Sequence, residues 1–106
     1  MRKGRVFVKG VFAGVLSELD SRHFVFEYAQ DYLQDNSLPA VCLAMPKKQQ
    51  RYESSALFPF FSNMISEGHN RKMQSRFLHI DEDDDFGILL ATAQYDTIGA
   101  VTVTPF

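Results

Sequence analysis

Tryptophan is absent from this chain, and cysteine occurs once, at Cys42. A lone cysteine excludes an intrachain disulfide and any metal site built from several thiolates, and it suits a reducing compartment. Long apolar runs are missing as well. No stretch approaches the roughly 20 apolar residues that span a bilayer. The opening Met1-Arg2-Lys3 leads into an alternation, Val6 and Val8, which Lys9-Gly10 interrupts, unlike the unbroken core of a signal peptide. A cytoplasmic protein is expected. Positive charge is not in excess either: 11 Lys and Arg against 13 Asp and Glu give a net charge of −2. The chain therefore lacks the general attraction to phosphates that nucleic-acid binders show.

Aromatic residues are plentiful, with ten Phe and four Tyr among 106 residues that are 45% hydrophobic. This composition argues against disorder and predicts a single domain, 1–106, with one modest core.

The first third reads as β-structure. Arg5–Val8 and Val11–Leu16 flank Lys9-Gly10, where glycine supplies the positive φ of a tight hairpin turn. His23–Tyr28 is rich in aromatic and branched residues and predicts a third strand. Ala29–Leu33 suits a short helical turn, and Leu38–Met45 a fourth strand closed by Pro46, followed by a polar loop from Lys47 to Arg51. From Tyr52 the period changes. Leu57, Phe60, Phe61, Met64 and Ile65 share one helical stripe, with Ser54 or Ser55 as N-cap, Pro59 confined to the first turn and Gly68 as terminator. A basic helix is expected over about Asn70–Leu78. A third, with the stripe Phe86, Leu89, Leu90 and Ala93, is capped by the acidic run Asp81–Asp85. Gly99–Thr104 alternates as a final strand. The fold class is α+β: a small antiparallel sheet, made of an N-terminal hairpin plus further strands, packed with about three helices and ending on a C-terminal strand.

Motifs that carry chemistry fail on inspection. Asp85-Phe86-Gly87 spells the magnesium motif of protein kinases, but no glycine-rich phosphate loop or catalytic His-Arg-Asp accompanies it. It reads as a helix cap followed by a core phenylalanine. Asp81, Asp83 and Asp85 begin like a calcium loop, yet Phe86 stands where the turn glycine belongs and Thr92 where the bidentate Glu belongs. His23, His69 and His79 are scattered, none at ligand spacing to another or to Cys42. Cys42 sits in an apolar run that favours an inert thiol. Lys47, Lys48 and Arg51, or Arg71, Lys72 and Arg76, read as solvated faces, the latter set also as an interface rim. No enzyme activity, cofactor or metal is expected. The segment Leu57–Ile65 carries two apolar lines, Leu57-Phe61-Ile65 and Phe60-Met64, and a small domain either buries both or leaves one as a contact surface.

The order Val6-Phe7-Val8-Lys9-Gly10-Val11-Phe12-Ala13-Gly14-Val15-Leu16, then Phe26-Glu27-Tyr28, Leu43-Ala44-Met45-Pro46, Pro59–Gly68 and Asp83–Ala91 through Gly99-Ala100-Val101 resembles the opening subdomain of HipA-type toxin kinases. The likeness covers nearly the whole chain. The family usually carries Asp where Ser62 stands and Pro at Ser66. In HipA the polypeptide continues into the kinase body, whereas this sequence stops at Phe106; a separate copy of the subdomain is similar to HipS, the small third member of HipBST toxin–antitoxin systems.

The resemblance implies an antitoxin that binds and restrains a HipT-like serine/threonine kinase, in a ternary complex with a HipB-like DNA-binding protein. It implies no ATP site in the small chain itself. The expected contact residues are Phe60, Phe61, Met64 and Ile65 with the turn Ser66-Glu67-Gly68. The rival readings are a structural subunit that completes the kinase without inhibiting it, and a nucleic-acid-binding accessory using Arg71, Lys72 and Arg76.

Overall fold

The computed structural model describes residues 2–20, 22–64, 84–92 and 100–106. Strands β1 (Arg2–Val8) and β2 (Val11–Asp20) form the expected hairpin, and β3 (His23–Tyr28) pairs with β2. Strand β4 (Arg51–Ser54) lies on β3, and β5 (Val101–Pro105) lies on β1. All pairings are antiparallel, in the order β4-β3-β2-β1-β5. Three helices are seen among the described residues: α1 (Gln30–Gln34), α2 (Pro59–Ser62) and α3 (Asp85–Thr92). The expected basic helix over 70–78 and Ala93 lie outside the described residues.

The hairpin turn is tighter in its demands than glycine alone suggests. Both Lys9 (φ 51°) and Gly10 (φ 79°) take left-handed backbone, as a two-residue turn of the mirror-image type requires to match strand twist. Further along, Val6 faces Gly14 while Phe7 faces Phe12, so Ala13 is an extra residue on β2. The bulge points Ala13 into the core, where it is wholly buried, and its carbonyl accepts the Ala29 N–H at 2.8 Å. Glycine at position 14 follows from packing, because a β-carbon there would collide with the Glu27 carbonyl oxygen and the ring of Phe26.

Alternation sorts the sheet into two faces. Val6, Val8, Leu16, Phe24, Phe26, Tyr28, Val101 and Val103 belong to one buried cluster with Tyr32, Phe61, Phe86, Ile88 and Leu89 from the helices. The opposite face carries Arg5, Val15, Glu27 and Arg51 in one cross-strand row. Val25 on that face is nonetheless 5% exposed.

Two expected elements are corrected. Leu38–Met45 is not a strand but an irregular loop, and Arg51–Ser54, expected as loop and helix start, is the edge strand β4. The helix expected from Ser54 or Ser55 begins only at Pro59, because the residue before proline is forced out of the helical region and Phe58 is extended (φ −54°, ψ 135°).

Candidate functional site

The single turn of α2 fixes the first set of candidate contact residues. The Phe58 carbonyl accepts the N–H groups of Phe61 at 2.9 Å and Ser62 at 3.0 Å, and Pro59 occupies the first turn, where its missing N–H costs nothing. Phe61 is completely buried, with ring centroids 6.1 Å from Phe26 and 6.3 Å from Phe58. Met64 is 6% exposed. In this packing both belong to the core. Phe60 is different: it is half-buried, its ring meets Phe61 edge-on at 5.4 Å, and one side stays open to solvent. Ile65, Ser66, Glu67 and Gly68 lie outside the described residues.

Beside α2 runs the loop between α1 and β4, which the sequence pattern assigns to a strand. Prolines at 39 and 46 argue against a ladder in hindsight, since neither has an N–H to give. The loop's backbone is held instead by side chains. The Tyr28 hydroxyl donates to the Met45 carbonyl at 2.5 Å and accepts the Val41 N–H at 3.0 Å. The Tyr32 hydroxyl donates to the Pro39 carbonyl at 2.6 Å, and that of Tyr52 to the Pro46 carbonyl at 2.5 Å. The Lys47 ammonium donates to the Asp35 and Leu38 carbonyls, the latter at 2.9 Å, and lies 5.1 Å from the centre of the Tyr32 ring. Burial pushes the Tyr28 hydroxyl up to about 12 and raises those of Tyr32 and Tyr52 as well. All three stay protonated donors at neutral pH. Asp35 closes the near end, accepting the Ser37 N–H at 2.9 Å and hydroxyl at 2.6 Å, bonds that hold its carboxyl below the usual range.

This scaffold presents one large apolar side chain outward. Val41 and Met45 are 6% and 2% exposed, whereas Leu43 between them is 101% exposed. Next to it opens a groove of about 300 Å³ lined by Cys42, Met45, Tyr52, Phe58, Pro59 and Phe60. Sequence reasoning missed Leu43, because a strand reading of Leu38–Met45 gives it no special place.

A larger recess of about 530 Å³ lies near Arg2, Glu18, Phe24, Asp84 and Phe86. Three of its charged side chains, Arg2, Glu18 and Asp84, are paired with one another. The Arg2 guanidinium makes two 2.8 Å bonds to the Asp84 carboxylate and a third, from Nε, to Glu18 at 2.8 Å. The same group sits 5.4 Å from the centre of the Phe86 ring. Arg2 thereby holds the Asp84 carboxyl below the usual range, and Asp84 in turn accepts the Gly87 N–H at 3.2 Å and caps α3. The Asp85-Phe86-Gly87 motif is thus a helix start followed by a core phenylalanine, 1% exposed.

The remaining candidates for chemistry are dispersed. His23 Nε2 lies 2.6 Å from Glu53 Oε1 on the surface and, with Arg51 adding to the effect, keeps the Glu53 carboxyl low. Among the described residues no three His, Cys, Asp or Glu side chains are grouped to hold a metal ion. Lys47 is committed to loop carbonyls, and Arg51 lies 3.6 Å from Glu53. The basic set Arg71, Lys72 and Arg76 lies outside the described residues, as do His69 and His79. No helix among the described residues is long and apolar enough to cross a membrane.

Comparison with known proteins gives one consistent result. The family described as the HipA N-terminal domain matches residues 4–104. A solved structure, the N-terminal domain of HipA toxin, superposes with a TM-score of 0.74 at 32% identity, covering 100% of this chain and 93% of that one. A Haemophilus influenzae protein described only as uncharacterized is 36% identical over 103 residues, which make up 97% of this chain and 92% of its own length.

Proposed function

This chain belongs to the HipA N-terminal domain family, and we propose that it is the antitoxin of a HipBST-like toxin–antitoxin system. In this reading it docks in the cytoplasm onto a HipT-like serine/threonine kinase and restrains it, with a HipB-like DNA-binding protein as third component. The observation that carries the reading is the match to a toxin's N-terminal domain along residues 4–104. The Haemophilus influenzae relative, hardly longer than the matched stretch, supports a domain that works as a subunit of its own.

The chemistry agrees with a binding role. Among the described residues, His23 is paired with Glu53 on the surface, Cys42 is partly buried against the core, and Asp84 caps α3. A domain that meets its kinase in trans must draw binding free energy from a few buried apolar anchors, after the cost of lost rigid-body freedom is met. Of the residues expected at the contact, Phe60 is the one that the described surface offers.

The test is co-elution of the purified chain with a HipA-type kinase from which the kinase's own N-terminal domain has been deleted. A stoichiometric complex is expected. Absence of binding to such kinases contradicts the proposal, and tight binding with undiminished phosphotransfer assigns the chain a structural role instead.

A further inference from the structure

We propose, resting on that docking reading, that the loop between α1 and β4 is the preformed anchor for the kinase. Leu43 is its central contact, and the groove edged by Phe60 receives an apolar ridge of the kinase surface. A single exposed leucine on a soft loop means little, since apolar atoms cover much of any protein surface. Here the loop is not soft. Val41 and Met45, two positions before and after Leu43, are more than nine-tenths buried, and the hydroxyls of Tyr28, Tyr32 and Tyr52 with the Lys47 ammonium hold the carbonyls of Leu38, Pro39, Met45 and Pro46. Ordering the backbone is already accomplished in the free chain. An anchor presented this way loses little entropy on binding, the circumstance that lets one side chain carry much of an interface.

The groove defines the chemistry of the occupant. Its lining is carbon-rich, the Tyr52 hydroxyl is spent on the Pro46 carbonyl, and Glu53 at the rim is engaged by His23 and Arg51. A charged small ligand finds no counter-charge there. A leucine standing wholly in solvent beside a groove fits a protein face that has a recess next to a ridge. Phe60 borders the groove, so the anchor is continuous with the exposed side of α2.

The experiment measures the affinity of the full chain for a HipA-type kinase lacking its own N-terminal domain, by calorimetry, with three variants. Leu43→Asp alters a side chain that is fully exposed, so its thermal unfolding should match the parent chain. Its affinity should fall by at least about thirtyfold, the loss typical of a central hot spot, and Phe60→Ala should fall by about tenfold. Val11→Asp, at another exposed apolar position, should stay within about twofold. A parent chain that binds together with a Leu43→Asp variant that binds equally well overturns the anchor and leaves the docking function standing. An equal loss in Val11→Asp overturns it too, by exposing general stickiness. If Leu43→Asp instead abolishes self-association of the free chain and spares kinase binding, the face is a contact between copies, and the proposal is wrong. Failure of the parent chain to bind removes both readings together.

Discussion

The hydroxyl of Tyr28, on the last residue of β3, donates to the carbonyl of Met45 across 2.5 Å. Because the same oxygen accepts the Val41 N–H, one buried side chain closes both ends of the segment that displays Leu43. Tyr28→Phe leaves a buried carbonyl and a buried N–H without partners, and should cost about 2–3 kcal/mol. The hydroxyl's pKa is raised from 10.0 to about 12 chiefly by burial. The folded value lies above the unfolded one, so this stabilisation is complete below pH 10 and disappears as pH rises toward 12. Alkaline unfolding, followed by denaturant titration at stepped pH, should steepen in that window and flatten in the Phe variant. An unchanged profile in Tyr28→Phe would show that the loop is held by other means.

Arg2 and Asp84 join the first strand to the cap of α3 across 82 positions of sequence. Both side chains keep part of their surface in water, 40% and 30%, so solvent screening limits the pair. Asp84→Asn should cost about 1 kcal/mol. The folded pKa of Asp84 is depressed, so its contribution is present above the unfolded carboxylate value and is lost as pH falls through the folded one. Acid unfolding should therefore begin at higher pH in the parent than in a variant already lacking the charge, once both are compared relative to their neutral-pH stability. A double-mutant cycle with Arg2→Ala that shows no coupling would contradict this.

Lys9 occupies left-handed backbone at a cost of about 1 kcal/mol for a residue with a β-carbon. Asparagine tolerates that region and precedes glycine in the preferred form of this turn. Lys9→Asn should raise stability by about 0.5 kcal/mol, seen as a higher denaturant midpoint at constant slope. A lower midpoint would mean that the lysine side chain contributes more than its backbone costs.

Phe60 and Phe61 are neighbours with opposite duties. Phe61 is sealed in the core and Phe60 only half so. Phe61→Ala should destabilise by about 3–5 kcal/mol through cavity formation, and Phe60→Ala by about 1 kcal/mol. Thermal melts separate them. Equal losses would show that Phe60 is packed as deeply as Phe61.

Much of the fold was legible where local pattern and tertiary role coincide. His23–Tyr28 reads as a strand because its aromatic and branched residues serve a sheet, and it is one. Val101–Val103 and the stripe Phe86 and Leu89 were legible for the same reason, their period matching the face they bury. Arg51–Ser54 was not. It is a short edge strand of mostly polar residues, and only its pairing to β3 makes it one. The loop through Leu43 was hidden differently: an apolar run looks like a strand, and the tyrosines that hold it lie up to 17 residues away with no period to reveal them. Ile88, wholly buried, falls off the predicted stripe because α3 is packed on more than one side. Phe61, inside α2, and Met64, in the turn just past its end, are both buried in the free chain, so only part of the expected helical stripe lies on a helix.

The most direct measurement of the central claim is phosphotransfer by a HipA-type kinase lacking its own N-terminal domain, titrated with this chain at fixed ATP. Autophosphorylation is expected to fall to background as the ratio reaches one chain per kinase, and Leu43→Asp is expected to shift the titration to much higher concentrations. Phosphorylation that persists undiminished under saturating complex formation would contradict it.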